Sequence, residues 1–93
     1  MIRSFRCQET ERVFLGLPTQ AFPPDIIRTA QRKLRYLDGA RSLRDLTRPP
    51  GNRLEQLRGD RAGQWSMRIN DQWRICFIWE GTGPEAVEIV DYH

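Results

Sequence analysis

The amino-acid sequence predicts an α+β domain in which helices cover one face of an antiparallel β-meander. In the N-terminal half, apolar residues recur at the three- and four-residue spacing of a helix. After residue 53 the period changes to two, and short turns containing glycine separate the alternating segments. A length of 93 residues suits a single domain, 1–93.

The helical half is predicted to contain two helices after a short strand at residues 2–5. A short helix is expected at residues 8–16. The clearer helix runs from about Pro24 to Leu37, because proline fits the first turn, where its missing N–H costs nothing. Gly39 is expected to end this helix in a left-handed conformation. Its apolar stripe consists of Ile26, Ile27, Ala30, Leu34 and Leu37.

The second half is predicted to form strands that follow each other in an antiparallel sheet. Residues 64–69 and 73–79 alternate between apolar and polar side chains, and a last strand is expected at 86–90. An earlier strand begins near Leu54. The alternating apolar residues of both segments, 64–69 and 73–79, have odd numbers. They lie on the same face of the sheet only if each residue pairs with one whose number is also odd, so that the two numbers add up to an even value. This pairing indicates a three-residue connection at 70–72 with a bulge.

The positive charge of the chain is carried almost entirely by arginine. Lysine and arginine total 15 against 12 acidic residues, a net charge of +3, and Lys33 is the single lysine. Arginine offers a planar fork of donors that matches phosphate and keeps its proton, so this composition favours nucleic-acid binding. A genome rich in G and C, whose codons favour arginine, explains the same composition equally well.

Several functional classes are excluded by what the sequence lacks. Cys7 and Cys76 are far apart, and with His93 as the single histidine they cannot build a zinc site. There is no GxxxxGK[ST] loop and no GxSxG motif. No apolar run approaches the ~20 residues of a membrane span, and nothing resembles a signal peptide. We therefore expect a cytoplasmic protein without metal or cofactor.

The strands and the last residues carry the candidate chemistry. Arg68 and Arg74 flank a hairpin and are expected to point away from the apolar face, onto one exposed face of the sheet, with Arg58 nearby at the end of the preceding strand. The last strand is followed by Asp91, Tyr92 and His93. Cleaving an RNA phosphodiester requires a base, positive charge at phosphorus and an acid, which these side-chain types supply without a metal.

Each of these residues also has an ordinary structural explanation. A histidine near a chain end is more often inert than catalytic. Arginines on an exposed strand more often serve solubility or protect an edge. Trp65, Trp73 and Trp79 fit hairpin and core packing better than base stacking. Residue chemistry alone therefore leads to a small basic α+β domain that can contact RNA.

Two stretches resemble a known family. Residues 52–77, NRLEQLRGDRAGQWSMRINDQWRICF, and residues 88–93, EIVDYH, are similar to the HigB-type toxins, or plasmid maintenance system killer proteins, of the RelE/ParE superfamily. Residues 1–5 fit as well. The resemblance implies two N-terminal helices on a four- to five-stranded antiparallel sheet, a microbial RNase fold. It also implies a type II toxin that cuts messenger RNA on the ribosome.

The resemblance assigns roles to particular residues and a partner to the chain. The family's functional terminus corresponds to Asp91, Tyr92 and His93, and its sheet arginine to Arg74. Arg58 replaces a basic residue, often lysine, before the turn glycine. Beside these family positions, Arg68 is a weaker candidate for a phosphate contact because of its place in the hairpin. Glu55 stands where some members have histidine. The implied partner is a HigA-like helix-turn-helix antitoxin, through which the toxin reaches operator DNA indirectly.

Two other functions fit the same scaffold. Relatives of the ParE type inhibit DNA gyrase without cleaving RNA, in which case toxicity would depend on the helix residues Arg28, Arg32 and Arg35. A third possibility is a chain that does not slow growth alone and acts in operon control with its antitoxin.

Overall fold

The computed structural model describes residues 1–48 and 50–91, in which two helices precede a four-stranded sheet. This confirms the predicted α+β class with two N-terminal helices on an antiparallel sheet. The helices are α1 (Gln8–Leu15) and α2 (Pro24–Gly39). The strands are β1 (Glu55–Gln56), β2 (Trp65–Arg68), β3 (Trp73–Glu80) and β4 (Gly83–Asp91). Short 3₁₀ helices at Leu43–Thr47, Pro50–Asn52 and Gly59–Arg61 fill the connections.

The strands lie in chain order, β1-β2-β3-β4, and every neighbouring pair is antiparallel. Met67 pairs with Ile75 and Arg68 with Arg74, so the paired numbers sum to an even value as predicted. The amides of Ile69 and Asn70 both donate to the carbonyl of Trp73, at 2.9 and 3.2 Å. Two residues therefore oppose one at this hairpin, which is the expected bulge.

The strand predicted at residues 2–5 is reduced to a single parallel bridge between Phe5 and Val87. The amide of Arg3 donates to the Pro84 carbonyl at 2.8 Å, and the amide of Val87 donates to the Ser4 carbonyl at 3.1 Å. Between these bonds, Ala86 has a positive φ of 52°, and its amide donates to the hydroxyl of Ser4. This irregularity in β4 interrupts the ladder, so the N-terminal segment does not become a fifth strand.

Helix α2 confirms the predicted apolar stripe but continues to Gly39. Ile26, Ala30, Leu34 and Leu37 are buried, and Ile27 is half-buried. The prediction that Gly39 ends the helix in a left-handed conformation is wrong. The chain instead leaves the helix through the extended, buried Ala40, which needs no positive φ.

The core forms where the stripe of α2 meets the inner face of the sheet. Met67, Ile75 and Phe77 are fully buried on that face, and all three tryptophans pack partly buried against the same cluster. Phe22 meets Trp73 edge to face, with ring centroids 5.7 Å apart. The tryptophans thus serve packing, in agreement with their ordinary structural explanation. Within the described ranges, no helix combines the length and apolar character needed to cross a bilayer.

Two glycine substitutions test these contacts in opposite directions. A Cβ added at the buried Gly83 would lie 2.5 Å from the backbone oxygen of Met1, so Gly83→Ala must displace the N-terminal segment. We expect Gly83→Ala to lower the free energy of unfolding by about 1–3 kcal/mol in urea titrations.

Gly39→Ala provides the matched control, because it makes the same chemical change in open space at a helical position. We expect it to raise the free energy of unfolding by roughly 0.5–1 kcal/mol, owing to the lower entropy of alanine in the unfolded chain. Equal stability of the Gly83→Ala variant and the wild type would contradict the described packing of residues 1–5 against β4.

Candidate functional site

Arg74 is the central residue of the sheet face that points away from the helices. It was predicted to be exposed there, and this prediction is wrong, because only 8% of Arg74 is accessible. Its Nε donates to the hydroxyl of Ser66 at 2.8 Å, and its Nη2 donates to the carbonyl of Arg53 at 2.6 Å. A buried charge requires such hydrogen bonds, and they hold the guanidinium in one orientation.

Glu55 lies beside this guanidinium. Its Oε2 is 3.9 Å from Nη2 of Arg74, while its own side chain is 56% exposed. Glu55 reaches this position because β1 pairs it with Ser66, the residue that holds Arg74. Water screens so exposed an ion pair, so its value for stability is small, and Glu55 stays accessible to a ligand.

Arg68 lies directly opposite Arg74 on the neighbouring strand, and the two share the outer face as predicted. Like charges in this arrangement repel each other. Part of the repulsion is offset by Asp71, which accepts a hydrogen bond from Arg68. This bond, together with the charge of Arg68, holds the pKa of the Asp71 carboxyl below its usual range.

Of the remaining predicted residues, Arg58 and Asp91 lie within the described ranges. Arg58 is exposed in the extended backbone just before the 3₁₀ helix Gly59–Arg61. Asp91 is exposed at the end of β4, beside Trp73, and its Oδ2 accepts a bond of 3.1 Å from Gln72. Tyr92 and His93, predicted as catalytic, lie outside the described residues.

Ser66 was not recognised from the sequence, although a signal for it exists. The even-sum register that pairs residue 68 with residue 74 places Ser66 diagonally across from Arg74 on the same face. Ser66 is completely buried. A fully buried hydroxyl in hydrogen-bond contact with a buried guanidinium belongs to the site as much as the arginine does.

A second polar network on the outer face was also missed. Arg61 donates through Nη1 to Gln64 at 3.0 Å and to Glu88 at 2.9 Å, and Arg6 lies 3.7 Å from the same carboxylate. This network covers Cys76, which is fully buried. Burial raises the pKa of the Cys76 thiol, so it stays protonated and does not serve as a nucleophile.

Lys33 is buried, because it lies seven residues after Ile26 and four before Leu37, at the spacing of the apolar stripe of α2. Its Nζ donates to the carbonyl of Gly51 at 3.3 Å. Burial lowers the pKa of Lys33, and the positive charges of Arg32, Arg68 and Arg74 lower it further. The edge of the site is therefore strongly cationic.

The connection between α2 and β1 is held through its carbonyl oxygens. Tyr36 contacts the carbonyls of Asp45 and Arg48 through its hydroxyl, at 3.0 and 2.6 Å. The buried side-chain amide of Asn52 donates to the carbonyls of Leu46 and Arg48. These bonds fix the approach of the chain to Arg53, whose carbonyl in turn holds Arg74.

The outer face thus combines fixed cations with an accessible carboxylate. Such an arrangement can bind a phosphodiester and accept a proton beside it. Among residues 1–48 and 50–91, no three acidic, cysteine or histidine side chains cluster in a way that would hold a metal ion. A surface groove of 410 Å³ between the end of α2 and Arg48 includes Arg35 but none of the residues predicted to act on RNA.

Comparison with known proteins identifies the family of this chain. The profile of the HigB-like toxin family, described as the RelE-like toxin of the type II toxin-antitoxin system HigB, matches residues 3–93. Toxin HigB-1 from Vibrio cholerae is 46% identical over 57 residues, which cover 61% of this chain and 60% of that toxin. Endoribonuclease HigB from Proteus vulgaris is 29% identical over 93 residues and covers all of both chains.

A solved structure supports the same architecture. A YoeB/ParE toxin from Agrobacterium tumefaciens superposes with a TM-score of 0.56, covering 99% of this chain and 98% of that one. Its sequence identity of 18% relates the two proteins by fold alone.

The buried Lys33 makes stability depend on alkaline pH. Because its pKa is lowered below the ordinary 10.5, the folded chain loses this proton before the unfolded chain does. At neutral pH, the buried charge of Lys33 lowers the free energy of unfolding. This loss disappears as pH rises through the interval between the lowered pKa and 10.5, because the folded chain gives up the proton there. The wild type should therefore gain stability relative to Lys33→Met in that interval.

Urea unfolding of the wild type and of Lys33→Met between pH 7 and 10.5 measures the difference in their free energies of unfolding. The titration of all other groups is the same in the two proteins and cancels in this difference. A difference in unfolding free energy that stays constant over the range would show that Lys33 is not desolvated.

Proposed function

This chain belongs to the HigB-like family of RelE-like type II toxins, and we propose that it arrests translation by cutting messenger RNA. The observation that carries the proposal is the match, over all 93 residues, to a relative named as an endoribonuclease. The outer face supports it, because Arg74 and Arg68 lie side by side there with Glu55 at their edge. Two adjacent guanidinium groups are stabilised when a phosphate lies between them.

In the proposed mechanism, Glu55 or His93 takes the proton of the 2′-hydroxyl, whose oxygen attacks the adjacent phosphorus. Arg74, with Arg58 and Arg68, stabilises the negative charge that develops on the phosphoryl oxygens. His93 protonates the departing 5′-oxygen, and Asp91 and Tyr92 orient it and the RNA. The P–O5′ bond breaks, leaving a 2′,3′-cyclic phosphate and a 5′-hydroxyl. No metal ion takes part.

Family membership implies an antitoxin partner. We propose that this partner is a HigA-like protein with a helix-turn-helix domain, and that the toxin reaches operator DNA through it. The substrate is messenger RNA on the ribosome, so the toxin acts in the cytoplasm. The HigB family match favours this function over the gyrase inhibition of ParE-type toxins.

Replacing His93 tests the proposed proton transfer. We expect His93→Ala to relieve growth inhibition and to lower the rate of messenger RNA cleavage roughly 10²- to 10⁴-fold, the usual contribution of a general acid or base. Sequencing of messenger RNA 5′ ends after induced expression measures the cleavage in cells.

Arg28→Ala is the matched control, since Arg28 is an exposed cation on α2 outside the site. It should keep full toxicity and the same cleavage pattern. Toxicity that survives in a folded His93→Ala protein but is lost in Arg28→Ala, with intact messenger RNA and damaged DNA, would favour gyrase inhibition instead.

The chemical groups at the ends of the cleaved RNA test whether the mechanism works without a metal. Attack by the 2′-hydroxyl leaves a 2′,3′-cyclic phosphate, whereas hydrolysis by a metal-activated water does not require that hydroxyl. We expect cyclic phosphate ends from ribosomes incubated with purified toxin, and no cleavage where a 2′-deoxynucleotide replaces the attacking one. Cleavage at the 2′-deoxy position would overturn this mechanism while leaving the nuclease activity in place.

A further inference from the structure

Two groups that belong to no proposed chemical step hold the guanidinium of Arg74. The hydroxyl of Ser66 accepts from Nε at 2.8 Å, and Ser66 itself is fully buried. The carbonyl of Arg53 accepts from Nη2 at 2.6 Å. A guanidinium carries five N–H groups in one plane, so fixing two of them fixes the direction of the others.

The backbone of Arg53 is in an unusual conformation at this contact. Its φ is +43°, one of two positive values at non-glycine residues in the described part of the chain. The left-handed region is unfavourable for a residue with a side chain, and such strain occurs preferentially at functional sites. The Arg53 amide is also anchored, donating to the Pro50 carbonyl at 3.1 Å. The strained residue therefore holds its carbonyl where Arg74 needs an acceptor.

We propose that Ser66 and the main chain of Arg53 are positioning groups that hold the Arg74 guanidinium in the orientation in which it receives the phosphate of RNA. The proposal rests on the proposed function, because it assumes that Arg74 contacts the substrate. Ser66 acts through Arg74 and does not touch the RNA. Placing a charged donor before the reaction avoids reorganising it in the transition state.

Orientation of the guanidinium can be measured without any RNA. In ¹⁵N-labelled protein, the Nε–H of Arg74 gives a resonance that is assigned by its loss in Arg74→Lys. We expect Ser66→Ala to speed solvent exchange of this proton about tenfold or more, because its buried acceptor is gone. An unchanged exchange rate would overturn the role of Ser66.

Thr10→Val is the matched control for removing a buried hydroxyl. Thr10 is fully buried, and its Oγ1 accepts from the Ile89 amide at 2.9 Å, where α1 packs on the sheet. It should lower the melting temperature as Ser66→Ala does, and leave the Arg74 Nε–H exchange unchanged. The same acceleration in both variants would assign the effect to general loosening of the fold.

A double-mutant cycle tests whether Ser66 acts through Arg74 in the reaction. With purified toxin and ribosomes carrying messenger RNA, Ser66→Ala should lower kcat about tenfold and leave KM within about twofold, as expected for lost orientation. In the Arg74→Lys background the same change should lower kcat less than about twofold, because the oriented group is absent. An equal tenfold loss in both backgrounds would overturn the proposal.

The two measurements separate this inference from the proposed function. If the wild type cuts no RNA, the proposed function fails, and titration with inorganic phosphate replaces the kinetic cycle. Phosphate should then shift the Arg74 Nε–H resonance in the wild type, and at least tenfold more phosphate should be needed in Ser66→Ala. An identical phosphate dependence in both proteins would overturn the positioning role.

Discussion

The burial of the Arg74 charge constrains the whole outer face of the sheet. Arg74 is only 8% accessible, so its charge cannot rely on water and the protein must surround it with acceptors. The acceptors come from two different elements, Ser66 on β2 and the strained backbone of Arg53 before β1. β1 has only two residues, so its ladder to β2 is short, and the contact of Arg53 with Arg74 lies just before it.

The connection from α2 to β1 transmits that constraint to the helical half. Side chains on α2 and at Asn52 bind the carbonyls of Asp45, Leu46, Arg48 and Gly51, so these residues are tied to the helical half. Lys33 shows the cost of the arrangement, because its charge is buried close to the positive charges of Arg68 and Arg74. A cationic cluster of this kind is poorly suited to stability alone and well suited to a polyanionic ligand.

The sequence predicted the helices and strands better than it predicted the burial and hydrogen bonds of the site residues. The apolar periods located α2 and the β2–β3 hairpin, because they report directly which face is buried. The same alternation placed Arg68 and Arg74 correctly on one face but predicted exposure for Arg74. Exposure on that face depends on β1 and on the backbone of Arg53, which have no periodic signal. The prediction for Gly39 was wrong for a similar reason, because tertiary packing determines how the chain leaves α2 through Ala40.

The pairing of residues 3–6 with β4 also determines which contacts form last as the chain folds. The Ala86 amide donates to the Ser4 hydroxyl, and the Arg6 amide donates to the Val87 carbonyl, so these bonds join segments about eighty positions apart along the chain. Contacts so distant in sequence close late, because a long loop must be ordered first. During synthesis, the N-terminal segment emerges from the ribosome long before the strand that it pairs with. A nascent chain interrupted before β4 lacks this closure, so an incompletely translated copy cannot complete the fold.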